Sequence, residues 1–299
     1  IYLNNNINMI PKIYSEDLCS LIENKYRYCI SLILKFDKYY NLIEKKFKET
    51  VVFINKNYDY DEYNDLNQDT NDKFNIINLT KKFFNLDHLD SHILVEKWMI
   101  FYNTKIIDYF KNKNLLDNLI VRTHKNNIFN EDIKDKELYD YLFKKSRSKA
   151  IYELYNINEN EIKHESINNN LYTHFTSPLR RSIDFLLNLY FNKKDKIYDK
   201  LELENKIKIL NENEKRMKKF YRMKNRFDFL INNKEEIIKT YGYVTKIKEN
   251  IIKIFFSEIN LEENYIIFNK KTEKISDIEY DLKNNIINSV KFMFDNKIY

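Results

Sequence analysis

The chain has one glycine and two prolines in 299 residues, against usual frequencies of about 7% and about 5%. Glycine is the residue that most easily adopts the left-handed backbone of tight turns. The turns of this fold must therefore be built by asparagine and aspartate, which tolerate that backbone and also cap helices. The asparagine runs at residues 4–6 and 168–170 fit that role. The excess of Asn, Lys and Ile is typical of an A+T-rich genome, and we attach no function to it.

Composition permits a polyanionic partner. Hydrophobic residues make up 43% of the chain, which is ample for a core at this length. The net charge is +6, the isoelectric point is near 8.8, and aromatic residues reach 15%. Basic and aromatic side chains together suit single-stranded RNA, whose bases stack on rings while its phosphates bind Lys and Arg. Codon bias raises the same residue types, so composition alone does not establish RNA binding.

Cysteine usage and hydropathy favour an intracellular protein. Cys19 and Cys29 are too few for a disulfide framework or for a zinc site of their own, and we expect both to be buried thiols. No apolar stretch approaches the ~20 residues that span a bilayer, and no signal peptide opens the chain. We therefore expect a cytoplasmic or other intracellular location and no membrane partner.

Hydrophobic periodicity predicts an α+β fold. Strand-forming residues dominate 26–36 and 51–54, and the polar stretch 57–72 is typical of a surface loop. Near residue 235 the pattern changes to a hairpin over 237–256, in which the only glycine falls where a bulge or a barrel corner would need one. Apolar residues at three- and four-residue steps predict helices over 95–110, over 137–155, from Pro178 onward and over 200–234.

The ten residues 172–181, Tyr-Thr-His-Phe-Thr-Ser-Pro-Leu-Arg-Arg, carry the strongest functional signal. Ser177 or the threonine before it can cap a helix, and Pro178 fits the first helical position. The free amides and the positive end of the helix dipole favour an anion, whereas Arg180 and Arg181 in the first turn oppose that dipole by about 0.3–1 kcal/mol. A bound phosphate reverses the sign of this effect. The alternative is a surface helix whose arginines are solvated.

These residues, followed by Asp184, resemble the Y-x-H-F-T-S-P-I-R-R-Y-x-D motif of the RNB exoribonucleases, the family of bacterial RNase II and RNase R and of the exosome's hydrolytic subunit. The resemblance runs to about residue 235. It implies the C-terminal part of an RNB catalytic domain at 1–235 and a small OB-fold-like RNA-binding β-barrel at 236–299. Other segments match in the family's order: Tyr2-Leu3, Met9 to Pro11, Leu18 to Leu21, Arg27, Ser91 to Asn103, Arg122 and His124, Ser148 to Tyr152, and His164.

The resemblance implies a 3′→5′ exoribonuclease that hydrolyses single-stranded RNA to nucleoside monophosphates. Arg180 would then engage the phosphate at the scissile bond as the catalytic residue, with Asp184 four residues on to orient it and Glu96 as a second supporting residue. We expect His164 and His174 to be hydrogen-bonding residues rather than general bases. The candidate RNA-binding residues are Tyr172, His174, Phe175, Thr176, Ser177, Arg181, Lys215, Lys218 and Lys219.

The family's metal site lies elsewhere. Its aspartates, which hold Mg²⁺, form a cluster upstream of the segment that Tyr2-Leu3 matches, and the chain opens at that segment. The resemblance therefore implies Mg²⁺ as the cofactor, no metal ligand in this chain, and a missing N-terminal part of the same protein as a partner beside RNA. It also implies that the chain alone is inactive. The alternative is a shorter, non-catalytic relative.

Three departures from the family pattern favour a degenerate relative that binds RNA without cutting it. Ser182 replaces the tyrosine of the motif, and Asn188-Leu189 replaces a His-Arg pair. Lys218-Lys219 stands where the family carries an acidic residue. Retention of the whole Thr-Ser-Pro-Leu-Arg-Arg run opposes that hypothesis. A helical scaffold without an RNA role ranks last.

Two further patterns have plain alternatives. His88 and His92 have a metal-ligand spacing, but the Asp-x-x-Asp-Ser sequence around them is equally typical of a helix N-cap. The basic stretch 215–226 indicates either an RNA-binding ridge or a solvated face. The inner face expected beneath that ridge consists of Met217, Phe220, Tyr221 and Phe227.

Overall fold

The computed structural model describes residues 8–65, 71–116, 118–124, 133, 135–146, 149–156, 164, 167, 171–193, 198–232, 239–248, 251–257, 261–266, 279–281 and 286–291. Several sequence predictions lie outside these residues: the asparagine runs, Tyr2-Leu3, Ser148 and residues 249–250 of the predicted hairpin. The chain forms two compact units, Ile1–Lys125 with Ala150–Ile207, and Asn126–Lys149 with Lys208–Tyr299. The domain boundary predicted at residue 235 stays a prediction.

An antiparallel hairpin of two long strands opens the first unit. β1 (Tyr26–Phe36) pairs with β2 (Leu42–Phe53) along its length. The Asp37 carboxylate closes the turn between them, because it accepts hydrogen bonds from the amides of Tyr39 and Asn41, both at 2.8 Å. The predicted strands are confirmed here, and β2 begins earlier than the sequence indicated.

Two helices follow where the sequence predicted a loop. α1 (Tyr60–Asp65) and the start of α2 (Asn71–Phe84) lie within residues 57–72, so the loop prediction is wrong for those positions. The Asp59 carboxylate accepts a hydrogen bond from the Glu62 amide at 2.6 Å and so caps α1. Acidic residues are therefore helix-starting residues here rather than markers of a loop.

The central helix of the first unit, α3 (Ser91–Asn112), confirms the long helix predicted around 95–110. The Asp90 carboxylate accepts a hydrogen bond from the Ile93 amide at 2.7 Å, which is the predicted N-cap. The second half of α3 supplies much of the core. Its buried residues there are Asn103, Ile106, Ile107 and Phe110.

One end of the hairpin packs on α3, and the other end is exposed. Phe47 contacts the rings of Tyr102 and Tyr109 edge-on, at centroid distances of 5.2 and 5.9 Å. At the far end Tyr28 is 92% exposed, and Tyr26 is also exposed beside Phe53. Apolar side chains on this part of the sheet therefore face solvent.

The first unit contains a second two-stranded sheet. β3 (Ile120–Thr123) pairs antiparallel with β4 (Ile151–Leu154). The segment between them includes α4 (Lys136–Ser146), which belongs to the second unit. The helix predicted over 137–155 is therefore wrong beyond residue 146. Short apolar runs fit both helix and strand periods, and pairing with the buried strand β3 decides for strand.

Two helices complete the part of the first unit that the structure describes. α5 (Ser182–Lys193) buries Ile183, Leu187 and Phe191 against the core. The long helix α6 (Lys200–Asn232) confirms the prediction over 200–234 and passes into the second unit at residue 208.

The second unit contains a five-stranded antiparallel sheet in the order β7-β6-β5-β9-β8. The predicted hairpin is confirmed as β5 and β6. No pairing among the described strands joins β7 to β8, so these two remain edges and the predicted closed OB-fold-like barrel is not confirmed. The strands are β5 (Lys239–Lys248), β6 (Ile251–Phe256), β7 (Leu261–Ile266), β8 (Glu279–Asp281) and β9 (Ile286–Lys291).

Gly242 lies at a bulge, as predicted. The register of β5 on β9 shifts between Thr240 and Gly242. A Cβ at this position would lie 2.5 Å from the side chain of Ile254 and 2.8 Å from that of Phe256. The glycine is therefore required by close packing rather than by a left-handed backbone, since its φ is not positive.

Asparagine makes most of the left-handed turns that the structure describes. Asn24, Asn85 and Asn114 have positive φ angles of 52–60°, which confirms the role assigned to this residue. Tyr40 is the exception, at 67° in the β1–β2 turn. There the Asp37 carboxylate and the Tyr40 amide, which donates to the Asp37 carbonyl at 3.1 Å, hold the backbone in place.

Candidate active site

The segment 171–181 is anchored from below by one buried amide side chain. Asn103 of α3 donates a hydrogen bond from Nδ2 to the Tyr172 hydroxyl at 2.9 Å. Its Oδ1 accepts a hydrogen bond from the Phe175 amide, also at 2.9 Å. Asn103 is fully buried, so both bonds are shielded from water. The carboxamide thus fixes the position of this segment on α3.

The buried aromatic residues of the segment belong to the core. Tyr172 and Phe175 are almost completely buried, and the Phe175 ring contacts those of Phe110 and Phe191 at 6.2 and 6.0 Å. Direct RNA contact by either side chain would require the core to open. We therefore assign to Tyr172 and Phe175 a positioning role in place of the predicted RNA contact.

A single turn, not a helix, carries the two arginines. The carbonyl of Ser177 accepts hydrogen bonds from the amides of Arg180 (3.2 Å) and Arg181 (3.0 Å). The first bond of α5 then runs from the Phe185 amide to the Arg181 carbonyl at 3.1 Å. The helix start predicted at Pro178 is therefore wrong by four residues. Since Arg180 lies outside the helix, its charge does not oppose the helix dipole as predicted.

Asp184 in the first turn of α5 holds this turn together. Its Oδ2 accepts hydrogen bonds from the Ser177 amide at 2.7 Å and from Arg181 Nε at 3.1 Å. Arg181 Nη2 completes the ion pair at 3.0 Å and also donates to Thr176 Oγ1 at 3.1 Å. The predicted pairing of Asp184 with Arg180 is wrong, because Arg181 is the partner. The turn is thus closed on both sides by one carboxylate.

Burial and pairing shift the pKa of Asp184 in opposite directions, and the effect of burial is the larger. The side chain is 0% exposed. Burial raises the pKa of this carboxyl, and the Arg181 guanidinium and the Ser177 amide oppose that shift. The second oxygen, Oδ1, is buried without a hydrogen-bond partner in the part of the chain that the structure describes. The charge of Asp184 therefore depends on Arg181 staying in place.

Arg180 is exposed, and its guanidinium makes no ion pair with any described residue. Arg181 is half-buried and fully engaged by Asp184 and Thr176. The two adjacent arginines thus differ in exposure and in ion pairing. One is a structural cation, and the other is available to an anion that approaches from solvent.

Histidine, tyrosine and arginine side chains lie on the neighbouring sheet. The Tyr152 hydroxyl and His174 Nδ1 share a hydrogen bond at 2.6 Å, and the Arg122 guanidinium lies 4.5 Å from the centre of the Tyr152 ring. Burial, with the charges of His124 and Arg122, lowers the pKa of His164 to about 4. The lowered pKa makes His164 a weak proton acceptor. Its role as a hydrogen-bonding residue stays a prediction.

Other predicted residues lie apart from the turn. Glu96 is exposed on α3 and makes no ion pair with the described residues. His88 precedes α3 and cannot share a helix face with His92, whose ring stacks on Tyr60 at 3.9 Å. Cys19 is exposed, so the expectation of a buried thiol is wrong there, whereas Cys29 is half-buried.

The basic residues of α6 differ in their surroundings. Lys218 is paired with Glu214 at 2.9 Å, whereas Lys215 and Lys219 are exposed without a described partner. The predicted inner face is only half correct: Met217 and Tyr221 are half-buried, and Phe220 and Phe227 are exposed.

Two residues of the site were missed by sequence reasoning. Asn188, noted only as a departure from the family, donates from Nδ2 to the carbonyls of Asp184 (2.7 Å) and Phe175 (3.3 Å). Tyr152 holds His174. A helical spacing of four between Asp184 and Asn188 was the available signal, since it places both side chains on one face of α5.

Residues 1–84 match the family model of the RNB domain. The chain is related to the RNB family. No curated protein matches the sequence. The match to the RNB model covers the hairpin and the first helices, and the arginine turn lies beyond it.

Solved structures of RNB proteins share the fold. Mycoplasma genitalium RNase R, in complex with ribose-methylated single-stranded RNA, matches with a TM-score of 0.68 and 18% identity over 85% of this chain and 52% of its own. The Candida glabrata Dss1 exoribonuclease matches with a TM-score of 0.69 and 17% identity over 92% of this chain and 42% of its own. Yeast Ssd1, a pseudonuclease, matches with a TM-score of 0.65 and 14% identity over 87% of this chain and 41% of its own. The chain thus spans about half the length of these RNB structures.

No metal site is visible in the described part of the chain. No three His, Cys, Asp or Glu side chains there come together in a way that could hold an ion. The described residues therefore do not fit the Mg²⁺ of the RNB family. No described helix is both long and apolar enough to cross a membrane.

Proposed function

We propose that this chain is the C-terminal part of an RNB 3′→5′ exoribonuclease that hydrolyses single-stranded RNA to nucleoside monophosphates inside the cell. One observation carries the proposal. The exposed guanidinium of Arg180 has no ion-pair partner among the described residues. It lies next to the ion pair of Arg181 with the buried Asp184, which fixes the backbone on which Arg180 is carried.

Arg180 is the residue that meets the RNA phosphate in this proposal. A guanidinium presents a rigid fork of donors that matches two phosphate oxygens at once. Its backbone is held by the Ser177 carbonyl through the Arg180 amide. Catalysis gains from donors that are already in place when negative charge develops on the phosphate. Thr176, Ser177 and Arg181 support that placement rather than binding RNA themselves.

The chemistry of hydrolysis requires residues beyond this chain in the proposal. Mg²⁺, held by carboxylates of the parent protein, would activate the attacking water. The residues described here bind and orient the phosphate in this proposal, and His164 is not assigned a proton-transfer role, because its lowered pKa makes it a weak proton acceptor and it is buried.

The N-terminal part of the parent protein is the proposed partner, and the hairpin is where we place it. A two-stranded sheet is marginally stable alone. Exposed apolar residues at one end of the hairpin indicate a covering segment. On one face, Tyr26 and Phe53 are in ring contact at 4.8 Å, and Tyr28 and Val51 stand opposite each other beside them.

A second candidate function is RNA binding without hydrolysis. Yeast Ssd1, a pseudonuclease, has the same fold. Ser182 and Asn188 depart from the catalytic pattern, but both have structural contacts here: the Ser182 hydroxyl lies 3.4 Å from Met9 Sδ, and Asn188 caps two carbonyls. These two departures therefore weigh less against catalysis than the sequence alone suggests.

Incubation of labelled oligoadenylate with Mg²⁺ tests the proposal. The full-length gene product should shorten the oligomer stepwise from its 3′ end and release monophosphates, and a chelator should abolish the reaction. The 299-residue chain alone should leave the oligomer intact. If the full-length product binds the oligomer without shortening it, the non-hydrolytic function is correct. Shortening by the chain alone would show that the metal site had been misplaced.

A further inference from the structure

An exposed apolar stripe runs along the C-terminal half of α6. Phe220, Met223 and Phe227 are spaced three and four residues apart, so they are neighbours on one helix face. They are 45%, 61% and 60% exposed. The half-buried residues Met217, three positions before Phe220, and Tyr221, whose ring lies 5.9 Å from the Phe220 ring, border the stripe on one side. The stripe is thus not part of the core of the second unit.

A basic stripe runs parallel to it. Lys215, Lys219 and Arg222 follow the same three- and four-residue steps, displaced by about one residue along the helix. None of these three cations forms an ion pair with a described residue, although Arg222 Nε donates to the Lys218 carbonyl at 3.3 Å.

The other cations of this stretch already have acidic partners. The pairs are Arg216 with Glu212 at 4.0 Å, Lys218 with Glu214 at 2.9 Å, Lys224 with Asp228 at 2.5 Å, and Arg226 with Glu263 at 2.7 Å. Among the described residues of this stretch, the positive charge without an acidic partner is therefore confined to the strip beside the aromatic residues. A charged helix face that is merely solvated does not require its unpaired cations to be separated from its paired ones in this way.

We infer that this face of α6 is a platform for single-stranded RNA, on which bases stack on Phe220 and Phe227 while phosphates bind Lys215, Lys219 and Arg222. The inference rests on the proposed function for its ligand class. A strand of RNA presents bases and phosphates side by side, and every base has a stacking face. Met223, between the two rings, is a polarizable apolar contact.

Charge complementarity favours RNA over the other occupants. An amphipathic helix that lies in a membrane needs a broad apolar face free of protein, and here the Met217 and Tyr221 face is half-buried by the protein. A partner helix would bury the apolar stripe without using the three cations of the basic stripe. A polyanion with aromatic bases uses both stripes.

Binding of fluorescent oligoadenylate to the 299-residue chain, followed by anisotropy, tests the platform. The double variant Phe220→Leu, Phe227→Leu keeps apolar area and helix propensity but removes both rings. It should weaken binding about fivefold or more for each base that stacks. Phe220→Tyr with Phe227→Tyr should restore it. An abasic ribose-phosphate oligomer should bind the wild type and the leucine variant equally.

The cations are tested by salt dependence. Lys215→Ala, Lys219→Ala and Arg222→Ala together should reduce the slope of log K against log salt by about 0.7 for each phosphate that these side chains bind. Lys218→Ala is the matched control and should change the slope clearly less, because Glu214 already pairs this ammonium. The cation variants should weaken binding of the abasic oligomer as well.

Two results would overturn the inference. One is unchanged oligoadenylate affinity in the double leucine variant. The other is self-association of the chain, measured by sedimentation, that Phe227→Lys abolishes. That result would make the stripe an interface between copies of the chain. If the platform tests fail while the full-length product still shortens RNA, this inference is wrong and the proposed function stands. If the platform tests succeed while the full-length product does not shorten RNA, the proposed hydrolysis is wrong and the platform stands.

Discussion

The Asp184 carboxylate accepts a hydrogen bond from the Ser177 amide at 2.7 Å, across the arginine turn that lies between them in sequence. The same oxygen binds Arg181. A buried carboxylate thus closes the turn through the backbone at one end and through a guanidinium at the other. Arg180 is left as the exposed residue between two fixed points, which is why its position does not depend on contacts of its own.

Loss of the Asp184 charge should destabilise the first unit. Asp184→Asn keeps an acceptor for the Ser177 amide but leaves Arg181 without its counter-ion. We expect the free energy of unfolding in urea to fall by about 1–3 kcal/mol, the scale for a buried charged hydrogen bond. The matched control is Asp108→Asn, since the exposed Asp108 pairs with Lys45 at the surface. Asp108→Asn should lower the free energy of unfolding by less than about 1 kcal/mol. Equal effects of the two variants would show that the buried pair is not the anchor.

Any side chain at Gly242 should strain the second unit. Gly242→Ala would place Cβ 2.5 Å from Ile254 Cγ2 and within 2.9 Å of the Phe256 ring, and both neighbours are fully buried. Overpacking of this kind destabilises by about 1–3 kcal/mol. Urea unfolding should show it, and Lys246→Ala at an exposed position of the same strand is the control. A Gly242→Ala protein as stable as the wild type would mean that the bulge relaxes freely.

Glu262 should make the second unit sensitive to acid. Burial alone would raise the pKa of Glu262, but hydrogen bonds from Lys145, Lys253 and Tyr141 outweigh it and lower the pKa to about 2. A lowered folded-state pKa stabilises the protein above the unfolded value of about 4.3, and the gain is lost as the pH falls towards 2.

Hydrogen exchange of the β6 and β7 amides should therefore show a clear loss of protection in Glu262→Gln at pH 7, and the difference from wild type should shrink towards pH 2. Glu202→Gln, at an exposed pair with Lys206, should have little effect at either pH. A difference that is independent of pH would contradict the assigned pKa.

The sequence predicted the elements whose period is long and regular. The helices around residues 95–110 and 200–234 and the strand β1 lie where the patterns put them. The asparagine-built turns and the bulge at Gly242 followed from composition, because few other residues tolerate those backbones or that packing. The helix prediction was wrong after residue 146. A run of four residues such as β4 fits both the helix and the strand period, and only its pairing with β3 decides for strand.

The candidate site was predicted in its residues but not in its contacts. The arginine motif identified Arg180, Arg181 and Asp184, yet the sequence paired Asp184 with Arg180 on the assumption of a continuous helix from Pro178. The turn at Ser177 shifts the register, so Arg181 meets the carboxylate instead. Burial of Tyr172 and Phe175 depends on Asn103, about 70 residues away in sequence, and no local pattern contains that information.

Turnover of RNA by Arg180→Ala in the full-length gene product tests whether Arg180 is the catalytic residue. Loss of one donor that stabilises charge in the transition state should reduce kcat by about 10²–10³-fold or more, with a much smaller change in RNA affinity. Arg180→Lys should restore little, since an ammonium lacks the bidentate fork. The melting temperature should not change, because Arg180 is exposed without a described ion pair, whereas Arg181→Ala should lower it. If kcat per folded molecule of Arg180→Ala equals that of the wild type, Arg180 is not the catalytic residue and the account is wrong.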